Sequence, residues 1–195
     1  NIVQCGKCEN CNPQGTLDQS SSQENGIKAA EFLKHHAMPI EARKQFPKDA
    51  FPDYGFTTKL PETLRAEEGR TLSKWEDAGW GRLVAEGKRN NHFSDKLVDA
   101  MAEMIIKWNP LSHPTWITCV PSLKHTTLVP DFAGRLAIRL NIPFYEVITK
   151  ISHNSPQKTM QNSYHQCHNL DGAFKIENIQ STEAVFLVDD IVDSK

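Results

Sequence analysis

The segment AVFLVDDIVDS, residues 184–194, decides the fold that this sequence predicts. Its first five residues are apolar, which is typical of a strand in the centre of a parallel sheet. Asp189 and Asp190 follow at once, so we expect them at the carboxyl end of that strand, where open α/β sheets bind their ligands. Neighbouring carboxylates can accept hydrogen bonds from the vicinal hydroxyls of a ribose, and a turn into a following helix can hold a phosphate. The segment therefore predicts a ribose phosphate site; the alternative is that the two acids only end a buried strand with a solvated turn.

Strand and helix patterns alternate upstream of this segment. The predicted strands are residues 115–120, 143–148, a short stretch around Phe174, and 184–188. The predicted helices run from a cap at Ser94 to about Asn109, from Phe132 to Leu140, and from a cap at Ser155 through Cys167. Because strands joined by helices pair in parallel, this alternation predicts an α/β domain with a doubly wound parallel sheet.

Three shorter segments precede this domain. Residues 1–12 hold a cysteine cluster, residues 13–26 predict a polar, Ser-rich linker, and residues 27–90 predict a small α/β middle subdomain that is partly β. Within that subdomain, residues 27–36 predict a short helix. The prolines and aromatic residues of 39–61 favour short strands and turns.

Bulk composition limits the partners and the compartment. A chain of 195 residues with 38% hydrophobic residues is expected to fold around one full core. Its net charge of -2 gives no overall positive field, so contact with DNA has to be local. The local candidates are Lys88, Arg89 and Lys96, and ordinary solvated surface is the alternative. Since neither a membrane-spanning apolar run nor a leader is evident, we expect a cytoplasmic protein with no membrane partner.

The segment VFLVDDIVDS resembles the signature of type I phosphoribosyltransferases, in which apolar residues and two acids precede a phosphate loop. CVPSLKH, residues 119–125, stands where that fold has its pyrophosphate loop, and residues 156–174 are similar to the corresponding stretch of ComF-like competence proteins. The resemblance covers roughly residues 91–195 and implies a phosphoribosyltransferase-like parallel sheet flanked by helices. It allows Mg²⁺ beside a phosphoribosyl ligand, and it assigns that ligand to Asp189, Asp190, Asp193, Ser194, Ser122 and Lys124.

This sequence departs from the family pattern at positions that matter for catalysis. The family usually has Thr, then Thr or Ser, then Gly, where this chain has Asp193, Ser194 and Lys195. Asp193 would repel a phosphate, and Lys195 places a side chain where glycine lets the backbone approach the ligand. Gln166 also replaces an arginine of the ComF-like pattern. We therefore favour a retained fold whose altered site binds DNA or a nucleotide-like ligand. The alternatives are an active transferase that uses phosphoribosyl pyrophosphate and a protein docking module.

Cys5, Cys8 and Cys11 supply three thiolates at a spacing suited to one tetrahedral zinc ion. The stretch CGKCENC, residues 5–11, resembles the zinc-binding segment that follows the motor domains of RecQ helicases. That resemblance implies a fourth zinc ligand upstream of residue 1. The alternative is a metal-scavenging terminus unrelated to helicases.

The two resemblances together imply the C-terminal accessory region of a RecQ-like ATP-dependent DNA helicase, and so a partner in DNA and a role in DNA repair and recombination. The sequence contains no Gly-x-x-x-x-Gly-Lys-Ser/Thr phosphate loop, so ATP binding and hydrolysis by that route would belong to the helicase motor. Whether this region is itself an enzyme stays open at the level of sequence.

Overall fold

The structure is a computed structural model that describes residues 11, 23–55 and 58–192. Its helices are α1 (Gln23–His35), α2 (Gly81–Arg89), α3 (Asp95–Trp108), α4 (Leu128–Leu140) and α5 (Ser163–Leu170). Its strands are β1 (Met38–Ile40), β2 (Gly69–Thr71), β3 (Trp116–Cys119), β4 (Ile148–Lys150), β5 (Phe174–Ile176) and β6 (Val185–Val188). Short 3-10 helices cover Pro52–Tyr54, Glu62–Leu64 and Gln157–Thr159. None of the helices in these ranges combines the length and the apolar character needed to cross a membrane.

The first described elements are a helix, as the sequence predicted, and a small antiparallel sheet whose second strand, β2, lies beyond the predicted range 39–61. The helix begins earlier than expected, because α1 starts at Gln23, inside the stretch predicted as a linker. No residue of α1 is buried, and the helix is joined to the rest of the chain at its end, where Trp80 Nε1 donates to the Lys34 carbonyl at 3.0 Å. β1 and β2 pair with Met38 opposite Thr71.

The core lies between α3, α4 and β3. All four residues of β3 are buried, since this strand lies at the centre of the packed elements. The fully buried side chains around it come mostly from one face of each helix: Leu97, Val98, Leu128, Val129 and Leu136, together with Ile117 of the strand. The predicted strand 115–120 and the two helices are thereby confirmed.

The same core extends upstream of residue 91. Leu72 is one of its buried members, and Trp80, Leu83 and Val84 pack against it. Helix α2 therefore packs against the same apolar core as α3 and α4, across the predicted boundary between residues 90 and 91. The predicted division into a middle subdomain and a C-terminal domain stays a prediction.

The parallel sheet is smaller than the sequence predicted. β3 and β6 pair in parallel, and a single parallel bridge joins Ile117 to Phe144. The predicted strand 143–148 is found only at its start, where the Tyr145 amide donates to the Ile117 carbonyl at 3.0 Å. Beyond Tyr145 the chain bends, and the Val147 amide donates back to the Tyr145 carbonyl at 3.1 Å. β4, which follows the bend, pairs with β5 in an antiparallel sheet of its own. The described residues thus form a mixed α/β structure with a two-stranded parallel sheet, and the doubly wound sheet is not found in them.

Strand β6 is not the buried central strand that its apolar sequence suggested. Phe186 and Val188 pack against the core, whereas Val185 and Leu187 on the opposite face are 39% and 58% exposed. Alternate side chains of a strand point to opposite faces, so β6 buries only one of its two apolar faces within the described chain. An apolar sequence alone could not tell a strand covered on both faces from one covered on a single face.

Two predicted helix caps are also corrected. The stretch from Ser155 through Cys167 is not one helix: after the 3-10 turn Gln157–Thr159, α5 begins at Ser163. Its cap is Asn162, whose side-chain oxygen accepts a hydrogen bond from the His165 amide at 3.0 Å. Ser94 does precede α3, but its side chain makes no capping hydrogen bond, and its buried hydroxyl has no partner among the residues described.

Candidate ligand site

The carboxyl ends of β3 and β6 lie side by side. Cys119 pairs with Val188, and the Val120 amide donates to the Val188 carbonyl at 2.9 Å, so the ladder continues to the last residue of β6. The loop 120–127 and the segment 189–192 therefore leave the sheet at the same edge. We call Asp189, Asp190 and the loop 120–127 the strand-edge site, because they follow the carboxyl ends of the paired strands.

Asp189 has an unusual ionisation equilibrium. Its pKa is raised from 3.8 to about 6, first because nearby protein displaces water from one side of the carboxylate, although the residue as a whole is exposed at the surface. The charge of Asp190 raises that pKa further, whereas the Asp190 amide, which donates to Asp189 Oδ1 at 2.8 Å, and the charge of Lys88 lower it. Asp189 is therefore a carboxyl group whose protonation changes close to neutral pH.

Cys119 is the last residue of β3, and its thiol has low reactivity. Burial raises the pKa of its thiol to about 11, and the charges of Glu146 and Asp189 contribute in the same direction. Because the thiolate is the reactive form of cysteine, Cys119 is not activated as a nucleophile. Its role at this position is packing, and it belongs to the buried core.

Asp190 forms an ion pair that the sequence did not predict. Lys88 Nζ, at the end of α2, lies 2.7 Å from Asp190 Oδ2, and the two side chains are only 26% and 15% exposed. Sequence patterns had placed Lys88 in a surface cluster for DNA. The packing of α2 against the core instead brings its ammonium to the strand-edge site.

Asn91 joins the same helix end to the loop 120–127. Its Oδ1 lies 3.0 Å from His125 Nδ1, and its Nδ2 donates to Thr127 Oγ1 at 3.1 Å. Ser122 also supports the loop, since its hydroxyl accepts a hydrogen bond from the His125 amide at 3.2 Å. Asn91 was missed at the level of sequence. The available signal was an asparagine just beyond a helix end, where its positive φ of 53° is tolerated better than for most residues.

The structure describes only some of the remaining predicted ligand residues. Lys124 is exposed in the loop 120–127. Asp193 and Ser194 lie outside the described residues. Asp189 and Asp190 present oxygen ligands of the kind that Mg²⁺ takes, but the described chain contains no cluster of three or more potential ligands that could hold a metal ion.

The predicted zinc segment is represented by a single residue. Cys5 and Cys8 lie outside the described part of the chain, while Cys11 is described and half-buried. Thiolates at this spacing are typical zinc ligands, so Cys5, Cys8 and Cys11 suit zinc by the type of their donor atoms.

The three predicted DNA-contacting cations do not form one free basic patch. Lys88 pairs with Asp190, and Arg89 Nη1 lies 3.4 Å from Glu76 Oε1. Lys96 is exposed in the first turn of α3. Two of the three positive charges are thus partly neutralised by acids of the same chain.

A concave surface lies along α4, away from the strand-edge site. It is a shallow, open groove of about 550 Å³, lined by Pro130, Asp131, Gly134, Arg135, Ala137, Ile138, Ile142, Pro143 and Phe144. None of these residues belongs to the strand-edge site. Arg135 is also held inside the chain, since its guanidinium contacts Asp131, Asp95 and the Phe93 carbonyl. The groove is mainly apolar and has none of the paired acids that suggest a ribose ligand.

Comparisons with protein-family models, with curated proteins and with solved structures found no match to this chain.

Proposed function

We propose that the strand-edge site binds a small ligand that carries a ribose and a phosphate, such as a nucleotide or a phosphoribosyl compound. The observation that supports this most directly is the parallel register of β3 and β6, which pairs Cys119 with Val188 and so brings the two acids beside the loop 120–127. In open α/β sheets, ligands bind beyond the carboxyl ends of the strands.

The charges at this edge suit such a ligand. Asp189 and Asp190 can accept hydrogen bonds from ribose hydroxyls, because ionised carboxylates are acceptors. Lys88 and Lys124 offer positive charge for a phosphate, and Lys88 is held 2.7 Å from Asp190. A ligand that combines hydroxyl donors with an anion complements both sets of groups, whereas a purely cationic ligand complements only the acids and a purely apolar ligand complements neither.

Binding of a small ligand is favoured over direct binding of duplex DNA. Affinity for DNA depends mostly on cations that are available to phosphates. Here Arg89 is engaged by Glu76, and the whole chain carries a net charge of -2. Binding is also favoured over group transfer, because Asp193 and Lys195 replace residues with which phosphoribosyltransferases hold the ligand's phosphate.

In this proposal the domain has the phosphoribosyltransferase type of fold and belongs to the C-terminal accessory region of a RecQ-like DNA helicase in the cytoplasm. The support is the sequence resemblance of residues 5–11 and of roughly residues 91–195. DNA is then a partner of the helicase motor, and the nucleotide-like ligand is a partner of the strand-edge site.

Calorimetric titration of the chain with phosphoribosyl pyrophosphate and Mg²⁺ tests the proposed function. We expect saturable binding that Asp189→Asn together with Asp190→Asn abolishes, and that the control Asp53→Asn, an exposed acid outside the site, leaves unchanged. Absence of binding at millimolar ligand would refute the proposal. Release of pyrophosphate on addition of purine or pyrimidine bases would show an active transferase and would refute a role restricted to binding.

A further inference from the structure

We propose that Lys88 is the residue by which the strand-edge site distinguishes a phosphorylated ribose from ribose itself. This inference rests on the proposed function, since it assigns one cation to the phosphate of the same ligand. It follows from the contact between Lys88 Nζ and Asp190 Oδ2, at 2.7 Å, which joins a residue of α2 to the end of β6.

The Lys88 ammonium can serve Asp190 and a ligand together. An ammonium group carries three N–H donors and no acceptor, and Asp190 accepts one of them. The Lys88 side chain is partly exposed, so its other donors are accessible to a ligand that arrives from solvent. A hydroxyl that donates to Asp190 places the rest of the ligand close to this ammonium. The flexible four-carbon stem of lysine then allows Lys88 to meet the phosphate.

The position of Lys88 is fixed by the packing of α2. The preceding residue, Gly87, is buried against Phe93, and a methyl group added to Gly87 would lie 2.5 Å from the Phe93 ring. Just beyond the helix, Asn91 contacts both His125 and Thr127. The turn 88–91 therefore contacts Asp190, just after β6, through Lys88 and the loop 120–127 through Asn91.

Separate titrations with ribose 5-phosphate and with ribose, followed by amide chemical shifts of the whole chain, test this role. The variants are Lys88→Met, Lys88→Arg and the control Lys107→Met, which removes an exposed cation of α3. We expect wild type and control to prefer ribose 5-phosphate. We expect Lys88→Met to lower that preference at least about tenfold while it retains ribose binding, because it removes a charge-assisted hydrogen bond to the phosphate. Lys88→Arg should keep most of the preference.

The outcomes separate this inference from the proposed function. The role of Lys88 would be overturned if Lys88→Met kept the preference unchanged, or if it weakened the binding of both ligands equally. Either result would leave ligand binding by the wild type intact. A wild type that binds neither ligand would overturn both. Should Lys88→Met fail to fold, Lys88→Gln removes the same positive charge while it keeps a hydrogen-bond donor beside Asp190. A lowered preference for the phosphorylated sugar in that variant supports the inference, and an unchanged preference contradicts it.

Discussion

Asp189 and Asp190 are neighbours in sequence, yet their surroundings give them different chemistry. Asp189 has its pKa raised to about 6, mainly because its carboxylate has lost water, whereas Asp190 is held by Lys88 at 2.7 Å. A site of this kind presents one acid that is paired with a lysine and one whose charge is unfavourable. Ligand hydroxyls that donate to Asp189 would compensate for part of the lost water.

The first prediction concerns the pH dependence of stability. The pKa of Asp189 is higher in the folded chain than its ordinary value of 3.8, so between about pH 4 and pH 6 the folded state binds more protons than the unfolded state. The free energy of unfolding contributed by this group therefore falls as pH rises through that window. Asp189→Asn cannot ionise, and we expect it to be more stable than wild type at pH 7 but not at pH 4. Thermal unfolding at both pH values measures this, and an equal difference at both would contradict it.

The second prediction concerns the coupling between Lys88 and Asp190. Because both side chains are largely buried, we expect a double-mutant cycle with Lys88→Met and Asp190→Asn to give a coupling of about 1–2 kcal/mol, above the usual range for exposed pairs. The matched control is Lys28 with Glu24, whose Nζ to Oε1 distance is 2.6 Å but whose side chains are 69% and 73% exposed. That pair should give about 0.3–0.5 kcal/mol in urea unfolding. Equal couplings in the two cycles would show that burial does not strengthen the Lys88 pair.

These residue contacts were only partly predictable from sequence. The two acids were found because they follow an apolar strand directly, which is a local pattern. Lys88 and Asn91 were not assigned to the site, since their contacts with Asp190 and His125 join residues far apart in the chain. Only the tertiary packing of α2 brings them together.

At the scale of elements, the end of α2 brings Lys88 and Asn91 into contact with the strand-edge site. The packing of α2 against Phe93 requires glycine at position 87, because the added methyl group of alanine would lie 2.5 Å from the Phe93 ring. The third prediction is therefore that Gly87→Ala destabilises the chain by about 1–3 kcal/mol, as overpacking of a core does. Gly26→Ala is the control, because nothing lies within 4 Å of the corresponding methyl group in α1.

In the control, alanine should stabilise the exposed helix by about 0.5–1 kcal/mol, since glycine is the poorer helix former. Denaturant unfolding of both variants measures the two effects. A Gly87→Ala protein as stable as wild type would mean that α2 is not packed as described, and would also weaken the case for Lys88.

The helices and strands also show where the spacing of apolar residues predicts secondary structure correctly and where it does not. β3, α3 and α4 were predicted correctly because their apolar residues match a buried strand and two amphipathic helices. Residues 143–148 and the face of β6 were mispredicted for a physical reason. An apolar stretch is as compatible with a bent chain or a half-exposed strand as it is with a central strand. The backbone hydrogen bond from Val147 to Tyr145, which marks the bend, cannot be predicted from composition.

For the molecule as a whole, the proposed link to RecQ helicases predicts zinc binding by the cysteine cluster. The fourth prediction is that the chain takes up zinc through Cys5, Cys8 and Cys11, and that Cys8→Ser weakens this uptake at least about tenfold by removing one thiolate ligand. Competition with a chromogenic chelator measures the affinity. Cys167→Ser is the control, because burial raises the pKa of that thiol and keeps it protonated. Equal loss in both variants would argue against the cysteine cluster.

The α/β class of the whole molecule was predictable, because alternating strands and helices constrain the possible topologies. The extent of the parallel sheet was not, since in the described chain β3 pairs with β6 and makes one further parallel bridge at Phe144, and β4 pairs with β5 in a separate sheet. Sequence patterns report which segments can be strands, and long-range hydrogen bonds decide which strands pair.

The most direct test of the central claim is a map of amide chemical shifts during titration with ribose 5-phosphate. The claim is that ligand binds where β3 and β6 end together, so we predict saturable shifts that are largest for residues 120–127 and 189–192 and that Asp189→Asn removes. Shifts that are largest along the α4 groove between Pro130 and Phe144, or no shifts at millimolar ligand, would contradict the claim.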